Sequence, residues 1–357
     1  MKTYIKFLLN LFFISFLKVF LVFSALIIIM NIFEQIEFFK KLDVHFLFPI
    51  FLSLLNSPSI IFEILPFIFL ISTQFFFIKL IENNEIQIFK YSGLNNYKII
   101  KIISLFSFLF GFILIIFFYN FSSILKNYYL GIKNSYTNDD KYLAVITENG
   151  LWIKDEINQE INIINASKVD EEFLINVSIT QFTENYDYIR TIESDKINIS
   201  SFIWRVLKPS VTVENVTDQY EELELKSNFD LKKINSLFSN LSSLTIIELI
   251  NLRKSYKSLN YSLIEVDSHL HKIFSYPFYL TLMTILSAIM MFSIGFQKNT
   301  LFKIILGILM SVIIYYVNYF FNVLGANEKI PLVLSIWFPL IILLITNFIF
   351  MVRLNEK

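Results

Sequence analysis

Apolar residues run almost unbroken through six stretches of this chain, and between the third and the fourth the pattern changes period. The runs fall at 11–33, near 59–81 and 99–120, and again near 273–296, 301–324 and 331–352. Crossing the hydrocarbon of a bilayer takes about 20 helical residues, so each run predicts a membrane span. The first run is longer than a signal-peptide core and no small-residue cleavage pattern follows it, which predicts a retained span. Between the first two runs, Pro49 and Pro58 interrupt an amphipathic stretch and predict an irregular connection.

From about Asn120 to Asp230 the hydropathy collapses. Phe173, Ile175, Val177 and Ile179 alternate with polar residues and predict one face of a strand. Glu148-Asn149-Gly150 is a hairpin signal, and residues 202–216 continue the strand pattern with a break at Pro209. Many short strands with turn signals predict a sandwich or jelly roll. Thr245-x-x-Glu248 is a capping box opening a helix to about Leu259. The expected fold is a membrane α-helical bundle of six transmembrane helices with an inserted extracytoplasmic all-β, jelly-roll-like domain. The expected divisions are 1–120, 121–268 and 269–357.

Composition agrees: of 357 residues 55% are hydrophobic and 41 are Phe, more apolar surface than a soluble core of this size needs. The zero net charge hides an asymmetry. Residues 121–268 hold 22 acidic and 15 basic side chains, so an acidic, water-facing block interrupts a basic membrane protein. Lys2 and Lys6, then Lys79, Lys90, Lys98 and Lys101, then Lys298 and Lys303, then Arg353 and Lys357 mark one side of the membrane. By the positive-inside rule that side is cytoplasmic, both ends lie there, and the β-domain lies outside. Lys40-Lys41 stands against the rule, beyond the first span, where two ammonium groups suit lipid phosphates or sit solvated beside Glu37 and Asp43. Lys18 and Glu63 fall within spans and need partners, snorkelling room or a wet cavity.

The sequence excludes several chemistries. It has no cysteine, hence no disulfide and no thiolate site, and no phosphate-cradling G-x-x-x-x-G-K-[ST] loop. No cofactor and no catalytic residue is expected. Glu265-x-Asp267-x-His269-x-His271 has metal-ligand residue types, but alternate positions on a helix diverge, and an interfacial turn is the expected reading, with no metal.

Residues 81–101 lie between the second and third spans as a short charged helix ended by Ser92-Gly93, with Asn83 or Asn84 as its cap. The spacing Glu85-x6-Ser92-Gly93 resembles the LptF/LptG family of lipopolysaccharide export permeases. So do Gly150-Leu151-Trp152-Ile153-Lys154-Asp155, Trp204-Arg205, Lys272-Ile273-x3-Pro277 and Ile330-Pro331, in order and over nearly the whole length. The Gly-Leu-Trp motif makes the resemblance LptG-like. It implies that residues about 82–97 form a coupling helix, with Glu85, Ser92 and Gly93 at the contact with a separate LptB-like ATPase. It further implies lipopolysaccharide headgroup binding at Lys40 and Lys41, a heterodimer with an LptF-like permease, and delivery through the periplasmic β-domain to LptC-like and LptA-like bridge proteins. In that case Phe173, Ile175, Val177 and Ile179 line a lipid conduit; strand alternation fits a packed core equally well. A permease of another ABC-type lipid or lipoprotein exporter, or a non-transporting membrane scaffold, are the rival readings; nothing suggests nucleic acid.

Overall fold

The computed structural model describes the whole chain except residues 1–2, 41–43, 137–150, 158–159, 171, 215, 232–233, 235–239, 259–261, 294–299 and 356–357. It divides into two compact units, Met1–Lys126 with Ile264–Lys357, and Asn127–Leu263. The Glu148-Asn149-Gly150 hairpin signal lies outside the described residues.

The first unit begins with α1 (Thr3–Phe39), α2 (Leu47–Glu82), the short α3 (Glu85–Tyr91) and α4 (Asn96–Ile113). α4 continues through a π-helical segment (Leu114–Tyr119) into α5 (Asn120–Ser135). It closes with α7 (Ile264–Ser293), α8 (Thr300–Ala326) and α9 (Leu332–Asn355). Six helices are long and apolar enough to cross a membrane among the described residues, the third being the continuous Asn96–Lys133 rod. Beyond the apolar run Ser122, Ser123 and Tyr129 stay buried along the rod, whereas Phe121, Ile124 and Tyr128 are exposed.

The expected break at Pro49 and Pro58 does not occur. α2 begins at Leu47, so Pro49 sits in its first turn, where a backbone N–H has no helical partner to lose. Pro58 and Pro66 lie inside the helix. Pro66 frees the carbonyl of Phe62, and the Tyr276 hydroxyl of α7 donates to that oxygen at 2.5 Å. Neighbouring helices re-satisfy backbone groups in this way where no water can. The segment holding Glu265 to His271 is likewise not a turn but the first two turns of α7.

In lipid, burial of apolar area alone does not drive helices together, so packing shape and polar contacts carry more of the load. Here the packing is aromatic. Phe12 and Phe16 of α1 meet Phe76 and Phe69 of α2 at 5.8 and 5.0 Å, and Phe106 and Phe110 of α4 at 5.7 and 5.5 Å. A buried polar ladder adds Gln35 to Asn31 at 3.0 Å, Asn31 to Ser57 at 3.4 Å and Ser53 to the Ile28 carbonyl at 3.1 Å. Thr284 donates to Ser107, Ser287 to the Leu70 carbonyl and Asn347 to the Leu282 carbonyl, tying α7 to α4, α2 and α9.

α4 and α7 cross where Gly111 faces Pro277. A Cβ at Gly111 would stand 2.8 Å from the Pro277 Cα, a backbone atom that cannot swing away. Gly111→Val should therefore lower the bundle's melting temperature in detergent, overpacking costing about 1–3 kcal/mol. Gly131→Ala, with nothing within 4 Å of the added carbon, should leave it unchanged. Equal melting of the two variants would refute the close crossing.

The second unit holds eight described strands: β1 (Leu151–Ile157), β2 (Glu160–Asp170), β3 (Phe173–Thr183), β4 (Tyr188–Asn198), β5 (Ile203–Leu207), β6 (Ser210–Val213), β7 (Val216–Gln219) and β8 (Glu222–Lys226). They form one antiparallel sheet in the order β1-β2-β3-β4-β5-β8, with β6 and β7 branching from β4. β4 pairs with β5 through 196–198 and with β6 through 191–193, so the sheet forks there. Across five strands Ile153, Ile164, Ile179, Ile192 and Val211 form one buried row. After the sheet, α6 (Ile246–Ser258) opens with the capping box: the Thr245 N–H and hydroxyl both donate to Glu248 Oε2 at 2.8 Å.

Candidate functional site

α3 is short because both its ends are turned by left-handed backbone. Asn84 before it has φ +55° and Gly93 after it φ +78°. Neither expected asparagine caps the start. Asn84 makes no side-chain cap, and Asn83 Nδ2 instead donates to Glu85 Oε1 at 3.2 Å, because left-handed Asn84 turns its side chain away from the helix donors. The C-terminus is a complete Schellman motif: Leu94 N–H bonds the Phe89 carbonyl at 2.9 Å and Gly93 N–H the Lys90 carbonyl at 3.0 Å. Nothing lies within 4 Å of a Cβ built on Gly93, so its requirement is conformational, not spatial.

One face of α3 is pinned and the other is free. Ile86 is buried, and the Phe89 ring packs 6.1 Å from Phe7 of α1. Ile88 and Tyr91 point outward, 59% and 89% exposed, three residues apart and in line with Glu85 and Ser92. Glu85 is half-buried, and its Oε2 is enclosed without a hydrogen-bond partner among the described residues. The exposed Ile88 and Tyr91 form an apolar stripe beside this carboxylate. The expected helix over 82–97 is thus α3 plus its flanking turns, α4 starting at Asn96 with the Asn95 side chain accepting from Lys98 N–H.

A second polar constellation joins α2, α5 and α7, with Glu63 and Lys272 exposed and Lys126 and His269 half-buried. Glu63 of α2 interacts electrostatically with Lys126 of α5 and Lys272 of α7. His269, one turn before Lys272, shares a 2.9 Å hydrogen bond with the Tyr119 hydroxyl. Tyr119 closes the π-helical segment, a departure from α geometry that often positions functional side chains. His271 faces elsewhere, its Nδ1 3.5 Å from the Trp337 indole nitrogen. Lys272 entered from sequence only as part of the Lys272-Ile273-x3-Pro277 motif and Lys126 not at all, although charges at the ends of apolar runs were the available signal.

Of the remaining sequence candidates, Lys40 is exposed immediately after α1, and Lys41 lies outside the described residues. On β3, Val177 and Ile179 are buried, both 2% exposed, whereas Phe173 and Ile175 are only half-buried. The change of environment coincides with Asn176, left-handed at φ +49° and skipped in both ladders. On its other side the buried residue is Leu174. Ile175 opposes Lys196, whose ammonium lies 5.8 Å from the Phe173 ring.

Asp155 and Trp204 sit in recognised motifs, but the partners that define their roles come from elsewhere in the chain. Asp155 is 1% exposed and accepts from Ser227 Oγ at 2.8 Å, Asn228 N–H at 3.0 Å and Asn228 Nδ2 at 2.8 Å. The Trp204 indole donates to the Phe229 carbonyl at 2.7 Å. Both motifs therefore hold the same segment, Ser227–Phe229, where the chain leaves the sheet.

No curated protein matches this chain. The sequence profile for lipopolysaccharide export system permease LptF/LptG matches residues 6–353, which take in all six spans and the inserted sheet. With nearly its whole length matched in one piece, the chain belongs to the LptF/LptG family of lipopolysaccharide export permeases.

Proposed function

We propose that this permease is the LptG-type transmembrane subunit of an ATP-driven export complex, and that it draws lipopolysaccharide from the inner membrane and passes it through its periplasmic β-domain toward the outer membrane. In this reading it pairs with an LptF-like chain, an LptB-like ATPase burns the ATP, and LptC-like and LptA-like proteins receive the lipid. The chain itself carries no cofactor and no catalytic residue. The α3 end of the bundle and both chain ends are cytoplasmic, as the lysine distribution favours.

The observation that carries this reading is the unequal burial of the spans. In the apolar windows of α2 and α7 72% of residues are buried within the chain, but only 28% in α1, 17% in α8 and 33% in α9. The first, fifth and sixth spans therefore keep faces available, and the resemblance to the family assigns those of the first and fifth to a second permease and to lipid. α8 presents Ile305, Leu309, Tyr316 and Phe320 outward, all more than half exposed. The headgroup site uses Lys40 and Lys41, and the lipid path enters the sheet at Phe173 and Ile175, with Val177 and Ile179 behind them.

Photocrosslinking in membranes tests the path. A photoreactive residue at Ile175 should capture lipopolysaccharide only when ATP is supplied, because only pumped lipid reaches it. A folded β-domain that captures no lipid, or captures it regardless of ATP, would assign the alternating residues of β3 to a packed core.

A further inference from the structure

Along α4 the apolar residues Leu105, Leu109, Ile113 and Ile116 recur at helical spacing and are all more than half exposed, as positions facing lipid are. The stripe does not stop with the apolar run. Phe117, Phe121, Ile124 and Tyr128 carry it through the π-helical segment into α5, four, three and four residues apart and 47–69% exposed. Behind them Ser122, Ser123 and Tyr129 are buried. A helix wetted on its outer face shows the reverse, polar residues outside and apolar ones within.

The hydrocarbon ends before Tyr128. The Tyr119 hydroxyl meets His269 at 2.9 Å and its ring lies 5.2 Å from that of Phe62, so exposed Lys272 and exposed Glu63 stand at the level of Tyr119. Charges open at the surface mark the edge of a medium that excludes them. Tyr128 is nine residues on, about 13 Å further along the axis at 1.5 Å per residue, whereas one headgroup layer is only about 5–8 Å deep. A resting lipid therefore covers Phe117 and Phe121 and leaves Tyr128 bare. An apolar stripe that begins among acyl chains and ends above their reach fits an acyl chain on its way out. We infer that this face of α5 guides lipid: the acyl chains of the exported lipopolysaccharide leave the outer leaflet along Phe117, Phe121, Ile124 and Tyr128. A resident phospholipid does not reach the end of the stripe, and a docked protein helix does not require its continuity with the lipid-facing side of α4. The inference rests on the export reading and the orientation proposed above, and adds the first step of the lipid's route.

The test uses the full-length chain with the partners that copurify, in vesicles of phosphatidylethanolamine and phosphatidylglycerol that also carry lipopolysaccharide, in a preparation that hydrolyses ATP. A photoreactive residue replaces Leu109, Tyr128 or Ile175, one at a time. Leu109 should capture lipid with or without ATP. Tyr128 should capture lipopolysaccharide at least tenfold more with ATP than without. Phe121→Asp with Ile124→Asp should cut that capture at least tenfold, and Phe121→Leu with Ile124→Leu should keep it, while unchanged capture at Leu109 marks both variants as inserted. Capture at Tyr128 that is absent, indifferent to ATP, made of phospholipid or made of a protein would overturn the guide, as would full capture in the aspartate pair. If Ile175 still captures lipopolysaccharide with ATP in that case, the export reading stands without the guide. If neither position does, the reading falls with it.

Discussion

Asp155→Ala should unfold the β-unit while the membrane helices stay inserted. The carboxylate is nearly sealed from solvent and holds three donors from two consecutive residues. Removing it leaves the buried Ser227 hydroxyl without its acceptor, which costs about 1–3 kcal/mol, and releases the exposed Asn228 from the clamp. The whole unit is expected to be stable by only about 5–15 kcal/mol, so such a loss is a large fraction of the total. The damage spreads because Ser227–Phe229 is also the acceptor segment for the buried Trp204 indole. Limited proteolysis of the full-length protein in detergent should cut the variant within 151–229 at protease levels that spare the wild type, with the helical bundle intact. Asp155→Asn keeps an acceptor but turns an NH2 toward donors, and should fall between the two. A protease pattern identical to wild type would show that the clamp does not hold the sheet.

What the sequence made legible follows from how local each feature is. The left-handed stop at Gly93 and the Thr245–Glu248 box are fixed within four residues, and the structure forms both. The six spans are legible because lipid demands long apolar helices whatever their neighbours. Pro66 was illegible for the opposite reason. Its tolerance depends on Tyr276, which the fold brings from far along the chain. Glu63 was suspect as a charge within a span, but its partners Lys126 and Lys272 lie on other helices. The change of environment along β3 turns on one left-handed backbone at Asn176, and alternation of residue types does not encode where a pleat slips. Asp155 shows the same limit from within a motif: its residue type was visible, and its three donors from beyond β8 were not.

If α3 is the coupling contact proposed above, its acidic residue is where a reversal of charge should be felt most. Glu85→Lys should strip the ATPase from the purified complex and stop growth of cells that depend on this chain. The face that carries Glu85 also presents exposed Ile88 and Tyr91, while Ile86 and Phe89 anchor the helix from behind. A partner docking there would cover that apolar surface and meet the half-buried Glu85 carboxylate at its edge. Breaking one side of such a partly buried charged contact costs about 2–5 kcal/mol, which is about 30-fold or more in affinity. The substitution leaves α3 itself intact, since the Schellman bonds at Gly93 and Leu94 use only backbone atoms. A lysine also offsets the favourable acidic first turn by only a few tenths of a kcal/mol at such an exposed helix end. The effect is therefore on docking and not on folding. Tyr91→Ala should weaken retention of the ATPase to a smaller degree by removing apolar contact without reversing charge. Retention of the ATPase at wild-type level by Glu85→Lys, with growth unchanged, would move the coupling contact away from α3.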